Sequence, residues 1–410
     1  MRHVVVMVTT SYPRFPGDSV GTFMEPIAKH VARRGHEVHI VAPWHPSITR
    51  GKAEDGVFFH FFKYAPVAAL NVFGYAAGLQ ADVKLKTAAW IAAPLAMSAG
   101  WFKAMRVAQK RRATVMHGHW VVPGGAIAAA AMPALPLVVS LHGSDVFVAE
   151  RTPPARVVAQ RVFGRAGAVT ACSQDLAERA IALGAPPDRT DVVPYGVDLA
   201  RFKPAPELRA ELRASLGMPR GAPLLVSAGR LVRKKGFEYL IDALALLERQ
   251  DTRLALAGDG DLADELQARA AAARVADRIH FLGNLPQDAV GRWFAAADVA
   301  VVPSVRDDSG NVDGLPNTVL EALASGTPLV ATPAGGIASV IEDGRTGALV
   351  PERDARALAA MIDVLLRDPA RAAAIGAAAR ASAGRFGWDA AAERFESAYD
   401  RALAFKSLTR

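Results

Sequence analysis

Two carboxylates, Asp313 and Glu321, stand eight positions apart in the stretch Asn311 to Gly326, NVDGLPNTVLEALASG. Between them Gly314-Leu315-Pro316-Asn317 reads as a turn that opens a short apolar helix. Asn317 is the expected N-cap, its side-chain oxygen accepting a first-turn amide. Gly326 and then Pro328 stop the helix. A helix start offers unpaired amides and a positive dipole end, which suits a phosphate or a sugar oxygen. One acid before it and one within it could grip hydroxyls on two parts of a ligand. The plainer alternative makes Glu321 a complement to the helix dipole and Asp313 a turn residue.

A second group is cationic. Arg230 and Lys235 share the loop Gly229 to Gly236, between the strand Leu224–Ala228 and a helix expected over Phe237–Arg249. Arginine can hold a pair of phosphate oxygens and lysine can neutralise a further charge. A third group is made of histidines at strand ends. His117 and His119 close Val115–His119, and His142 follows Leu137–Leu141 and precedes Gly143. His142 is the better functional candidate, able to orient a hydroxyl or carry a proton, with a satisfied structural histidine as the competing reading. His117 and His119 are expected on opposite faces of their strand, and no zinc-like spacing of cysteines or carboxylates accompanies them, so no metal is expected.

The elements needed to position these groups alternate as in a doubly wound sheet. His3–Thr9 is a buried parallel strand. The Pro- and Gly-rich loop Thr10–Thr22 follows, with Gly21 beside the start of a helix Phe23–Arg34 that carries Phe23, Ile27 and Val31 on one face. Val38–Ala42 is the next strand. Residues 51–65 read as strand pieces with alternating aromatics, and Val192–Val197 as a strand with a turn. From Leu224 the pattern restarts. Strands at Leu254–Ala257, Ile279–Leu282, Val299–Val302 and Leu329–Ala331 end in Gly258, Gly283, Pro303 and, a little further on, Gly335-Gly336. The expected architecture is α/β, with two Rossmann-like domains facing across a deep cleft. They are residues 1–197, joined by a helix over 389–410 that packs back on them, and residues 224–388. Residues 198–223 form the linker.

At 410 residues, 51% hydrophobic and 21% charged, the chain is globular and long enough for two cores. One cysteine, Cys172, excludes an internal disulfide and a cysteine metal cluster and fits a reducing cytosol. No signal peptide is expected at the start. No run reaches the length of a membrane span. The nearest is Thr87–Phe102, flanked by Lys86 and Lys103 and interrupted by Pro94. The net charge of +8 is one-sided: residues 1–200 hold 21 Lys and Arg against 13 Asp and Glu, and the remainder holds 27 of each. The basic, apolar region 66–112 reads either as an ordinary amphipathic helix covering the sheet or as a surface for peripheral contact with an anionic membrane. Nucleic acid is not expected, as none of its recognition motifs is present.

Taken in order, these stretches resemble the retaining GT-B glycosyltransferases of family 4, also called group 1. In the second half the resemblance rests on VSAGRLVRKKGFEYLIDAL, LALAGDGD, IHFLGNLP, AADVAVVPS, DGLPNTVLEALASGTPLVAT and GGIASVIEDGRTGALV. In the first half it rests on VTTSYPRFPGDSVGTFMEPIAKHVARRGHEVHIVAP, HGHWVVPGG and LHGSD, with VVPYGVD at the hinge. The resemblance implies a metal-independent hexosyltransferase, cytoplasmic or peripheral on the inner face of the membrane. It would move a sugar from a nucleotide-diphosphate sugar to a glycan or lipid-linked acceptor, in cell-surface polysaccharide or glycolipid synthesis. No cofactor is implied, the nucleotide-sugar being a substrate.

The resemblance also assigns residues. Arg230 and Lys235 would hold the donor's diphosphate and Glu321 the ribose hydroxyls. Asp313 stands where the family has a glutamate near the sugar. Gly314, Leu315 and Pro316 line the sugar and phosphate, His142 approaches the sugar, and Gly21 approaches the phosphate from the first domain. Gly229, Gly258 and Leu282, at neighbouring strand ends, complete the donor-binding set. Tyr195 replaces an asparagine common before Gly-Val-Asp and receives no role. Other readings on the same fold are an epimerase, a phosphorylase or a non-catalytic nucleotide-sugar binder; a membrane or nucleic-acid adaptor rests on the basic half alone.

Overall fold

The computed structural model describes every residue except 19, 68, 69, 72, 76–78, 81–83, 86, 409 and 410. Two compact units result, Met1–Gly196 with Trp388–Arg410, and Val197–Gly387.

In chain order the first unit runs β1 (Val4–Val8), α1 (Met24–Arg33), β2 (Glu37–Pro43), β3 (Ala53–Glu54), β4 (Val57–Phe62), β5 (Leu79–Gln80), β6 (Lys84–Leu85), α2 (Thr87–Arg111), β7 (Val115–His119), α3 (Ala126–Ala131), β8 (Leu137–Leu141), α4 (Ser144–Arg151), α5 (Pro153–Arg165), β9 (Ala168–Ala171), α6 (Gln174–Ala182) and β10 (Thr190–Val192). The β-branched run of β1 lies inside an eight-stranded sheet of order β10-β9-β8-β7-β1-β2-β4-β3. All neighbours are parallel except the short edge strand β3. Helices cover both faces of such a sheet, which is why its strands read as unbroken apolar runs. α1 buries Met24, Ile27, Ala28 and Val31, at helical spacing. Phe23 precedes the helix and packs elsewhere. The last helix, Trp388–Leu408, belongs to this unit and buries Ala392, Phe395, Tyr399 and Ala402.

Two expectations are corrected here. His117 and His119 share one face of β7, as residues two apart in a strand must, and their ring centroids are 4.1 Å apart. The strand expected to reach Val197 stops at Val192, because Pro194 has no amide to continue the ladder. The aromatic alternation of β4 holds, with Phe59 and Phe61 stacked on one face at 5.9 Å. Phe62 is buried and tucks under Gly100 of α2, where a Cβ would lie 3.0 Å from its ring. Lys86, expected to flank the apolar run of α2, lies outside the described residues.

The second unit runs α7 (Leu208–Ser215), β11 (Leu224–Ala228), α8 (Phe237–Leu246), β12 (Arg253–Ala257), α9 (Ala263–Ala272), β13 (Ile279–Gly283), α10 (Gln287–Ala296), β14 (Val299–Val302), α11 (Asn317–Ser325), β15 (Leu329–Ala331), β16 (Ala348–Leu349), α12 (Ala355–Arg367) and α13 (Pro369–Ala383). Its six strands are all parallel, in the order β13-β12-β11-β14-β15-β16. The core lies between this sheet and α8, α9 and α12, with Phe237, Leu240, Leu244, Leu254, Val301 and Ile362 at its heart. α8 ends at Leu246, short of the expected Arg249, where Leu247 turns extended.

Residues 198–223 are not a free linker. α7 lies against α10, and Arg209 and Arg213 both pair with Asp298. Asp298 also accepts the Leu224 amide at 2.7 Å, tying α7 to the first strand of the sheet.

Candidate active site

The ends of β11, β12 and β13 are joined by backbone. The Gly229 amide donates to Ala257 O at 2.9 Å and the Gly258 amide to Gly283 O at 2.7 Å. Gly258 has φ +142, and a Cβ on it would sit 1.8 Å from Gly229 O. This glycine is therefore required by the close approach of two strand ends. Leu282 is half-buried on the edge strand β13.

From Gly229 the chain passes through Arg230, which is exposed, to a short 3₁₀ turn at Arg233–Lys235. Gly236 then enters the left-handed region at φ +65 and starts α8; a Cβ there would strike Pro303 O at 2.1 Å. The turn aims both of its lysines at Asp313. Lys235 Nζ lies 2.5 Å from Asp313 Oδ2, and Lys234 Nζ 2.9 Å from Asp313 Oδ1. All three side chains are mostly buried, with 10–14% exposure. Burial alone would raise the Asp313 carboxyl, but the two ammonium groups outweigh it and hold the carboxyl below the usual carboxylate range. Gly335, at φ +57, lets the chain behind β15 pass close to the Asp313 carbonyl.

After Asp313, Gly314, Leu315 and Pro316 are buried and lead into α11. The helix begins at Asn317, so Asn317 does not cap it. Pro316 occupies the cap position without a side-chain hydrogen bond, and its carbonyl accepts the Val319 amide at 3.1 Å. The Asn317 side chain, already on the first helical residue, leaves its Oδ1 without a partner, as does the Thr318 hydroxyl. A helix start with buried polar side-chain atoms unmatched within the protein is an arrangement that a polar ligand completes. One turn further, Glu321 is 7% exposed. Burial pushes its carboxyl up to about 7, against the pull of Lys235 and Arg201. The second unit therefore gathers Lys235, Asp313, Glu321 and the start of α11, with Arg230 on the same loop as Lys235.

Gly21 and His142 belong to the first unit. Gly21, at φ +67, is in the turn that starts α1, and its Cα faces the Ser11 side chain. His142 follows β8 and is held at both ring nitrogens. Tyr195 Oη lies 2.7 Å from Nδ1, and His119 Nδ1 lies 3.1 Å from Nε2. Phe23 and Trp120 flank its ring at 4.8 and 4.5 Å. His117 continues the chain inward, bonding Tyr399 Oη at 3.0 Å and Ser140 Oγ at 2.7 Å. Burial drives all three imidazoles down, His119 to about 3, so they are neutral at pH 7. The His142 turn is fixed by Asp145, which accepts the amides of Val121, His142 and Gly143. Among the described residues no three His, Cys, Asp or Glu side chains are grouped to hold a metal ion.

Sequence reasoning missed Lys234, Tyr195 and Asp145. The Lys234-Lys235 doublet was a visible signal for the first, and the LHGSD motif for the third. Tyr195 had none, because its partner is 53 residues away.

Comparisons with known proteins bear on the family and the fold. Residues 20–201 match glycosyltransferase family 4, and residues 209–382 match glycosyl transferases group 1. A GDP-mannose-dependent alpha-(1-6)-phosphatidylinositol monomannoside mannosyltransferase of Mycolicibacterium smegmatis is 36% identical over 60% of this chain and 64% of its own length. That is just under two thirds of that relative. A D-inositol 3-phosphate glycosyltransferase of Frankia alni is 35% identical over 71% of this chain and 74% of its own. Anabaena HepE in complex with UDP has a TM-score of 0.77 at 21% identity, covering 96% of this chain and 98% of its own. Sucrose-phosphate synthase from Thermosynechococcus elongatus has a TM-score of 0.79 at 21% identity, covering 98% of this chain and all of its own. Two parallel-sheet units with these neighbours define the GT-B fold. The chain belongs to the group 1, or family 4, glycosyltransferases.

Proposed function

We propose that the protein transfers a sugar from a nucleoside-diphosphate sugar to a polyol, glycan or lipid-linked acceptor, with retention at the anomeric carbon. The observation that carries this is the grouping of Lys235, Asp313, Glu321 and the start of α11 in one unit. A diphosphate needs cations and amide donors, and a sugar and a ribose each need a carboxylate. The leaving group is the nucleoside diphosphate. Arg230, Lys235 and the α11 dipole stabilise the charge that grows on it, the main electrostatic demand of an oxocarbenium-like step. Front-face transfer draws the acceptor's proton toward the leaving phosphate, so it needs no carboxylate pair of the glycosidase kind. In the first unit, His142 is neutral and held at both ring nitrogens.

The names of the relatives support a narrower reading. Their names carry GDP-mannose as a donor and inositol phosphates or phosphatidylinositol mannosides as acceptors, and the HepE structures hold UDP and UDP-glucose. We therefore place this chain among enzymes that glycosylate phosphorylated or lipid-linked polyols for the cell surface, working at the membrane's inner face. A thermal-shift screen of GDP, UDP and ADP sugars identifies the donor, because a ligand stabilises in proportion to its affinity. Turnover with that donor and inositol-phosphate acceptors follows, before and after exhaustive chelation. A new α-linked glycoside formed at an unchanged rate is the expected product. Strict Mg²⁺ or Mn²⁺ dependence overturns the metal-independent reading, and donor isomerisation without a glycoside overturns transfer.

A further inference from the structure

The triad Lys234–Asp313–Lys235 is unevenly charged. Two ammonium groups, 2.9 and 2.5 Å from the two oxygens of one carboxylate, leave one net positive charge in a mostly buried place. Lys234 is 8% exposed and turned inward, unlike its neighbour Arg233, which pairs at the surface with Glu265. If Lys235 is to turn to a diphosphate, Asp313 must not be left alone. A buried carboxylate that loses its last partner is strongly unfavourable, and so Asp313 would otherwise hold Lys235 back. A loop whose lysine and aspartate cancelled would also offer a diphosphate no net attraction.

We propose that Lys234 is a positioning residue for the donor: it keeps Asp313 paired and leaves Lys235 free to engage the diphosphate. This rests on the reading of Lys235 as a diphosphate ligand. The triad's net charge then decides nucleotide affinity. It is +1 in the native protein, 0 in Lys234→Met, +2 in Asp313→Asn, and +1 again in the double variant. Lys234 acts through Asp313, so replacing Asp313 cancels the loss of Lys234.

Isothermal titration with GDP and, in parallel, UDP tests this on the full chain. Lys235→Ala is the control for the underlying reading, and unchanged affinity there, or no binding of either nucleotide by the native protein, overturns that reading and the proposal with it. Given weakened binding by Lys235→Ala, Lys234→Met should weaken nucleotide affinity about tenfold, the size of one charge-assisted contact. Lys234→Met/Asp313→Asn should return it to within about twofold of native, while sugar transfer stays low for want of the Asp313 carboxylate. Lys234→Arg should bind as the native protein does. Lys234→Gln serves if the methionine variant does not fold. Native affinity in Lys234→Met or Lys234→Gln overturns the proposal. A double variant as weak as Lys234→Met also overturns it, by making Lys234 a direct ligand or a merely structural residue.

Discussion

Glu321 carries a folding cost that its burial, one turn into α11, explains. Its carboxyl is raised from an ordinary 4.5 to about 7 by burial. Below pH 4.5 it is protonated whether folded or not, and it contributes nothing. As pH rises through that window the unfolded chain releases its proton first. Stability falls until about pH 7 and then levels off. Glu321→Gln removes this penalty. Chemical denaturation should show the variant more stable than native by on the order of 1–3 kcal/mol at pH 8 and equal to it at pH 4. If the ionised carboxylate grips the ribose, the same variant loses donor binding, and native donor affinity falls as pH drops below 7. A variant that is less stable at pH 8, or that keeps donor affinity, removes Glu321 from the site. Arg230→Ala and Lys235→Ala address the leaving group. Each should lower turnover by on the order of 10²-fold, as lost oxyanion donors do. Turnover within a few fold of native would end that assignment. At this scale the sequence revealed residue type but not partnership. Asp313, Glu321, Arg230 and Lys235 were legible because motif spacing marked them. Lys234 and Tyr195 were not, because their roles come from contacts 79 and 53 residues away in the chain.

At the scale of elements, what was legible was what local physics decides. Apolar β-branched runs became parallel strands, and Gly236 and Gly326 became the left-handed residues that bound α8 and α11. Where the reading went astray, a tertiary partner had intervened. The stretch 198–223 looked like a linker by its prolines and charges, but the Arg209 and Arg213 pairs with Asp298 fold it into the second unit. Asn317 looked like a cap, but Pro316 already supplies the extended residue before the helix. Gly258 illustrates how one backbone position serves the whole site. Its α-carbon lies against Gly229 O, where a Cβ would come to 1.8 Å, and Gly229 is in turn packed against the Lys235 stem, its own Cβ position 3.4 Å from Lys235 Cε. Gly258→Ala must push the Gly229–Lys235 loop away from β12. It should cost about 3 kcal/mol or more by thermal or denaturant unfolding, and nucleotide affinity should fall with it. Gly217→Ala, which has the same handedness at φ +61 but open space at its Cβ, should cost only about 1 kcal/mol. Equal losses at the two positions would show that backbone strain alone, and not the close approach, is at work.

On the scale of the molecule, the charge bias becomes a statement about surface. No helix among the described residues is long and apolar enough to cross a membrane. α2 instead exposes Leu95, Trp101 and Phe102, with Lys103, Arg106, Lys110 and Arg111 along its last turns. Arg106 lies over the Phe102 ring at 5.5 Å, and Trp101 Nε1 donates to Ala130 O at 3.1 Å. An apolar row with a polar tether and a basic border suits the interface of an anionic bilayer, the aromatic rings entering the headgroup region and the cations meeting phosphate. Each basic residue near such a surface contributes about 1 kcal/mol, screened by salt. The protein should therefore float with vesicles containing phosphatidylglycerol at low ionic strength, remain behind with phosphatidylcholine alone, and release as salt rises. Replacing Lys103, Arg106, Lys110 and Arg111 by Gln should cut vesicle affinity by at least about tenfold. Leu95, Phe102→Ser should weaken it further without restoring any salt dependence, since apolar insertion is insensitive to screening. Turnover on a water-soluble acceptor should be unchanged in both variants, and turnover on a vesicle-borne acceptor should fall with affinity. If the variant with the four glutamines floats as the native protein does, the basic end of α2 serves something other than a membrane.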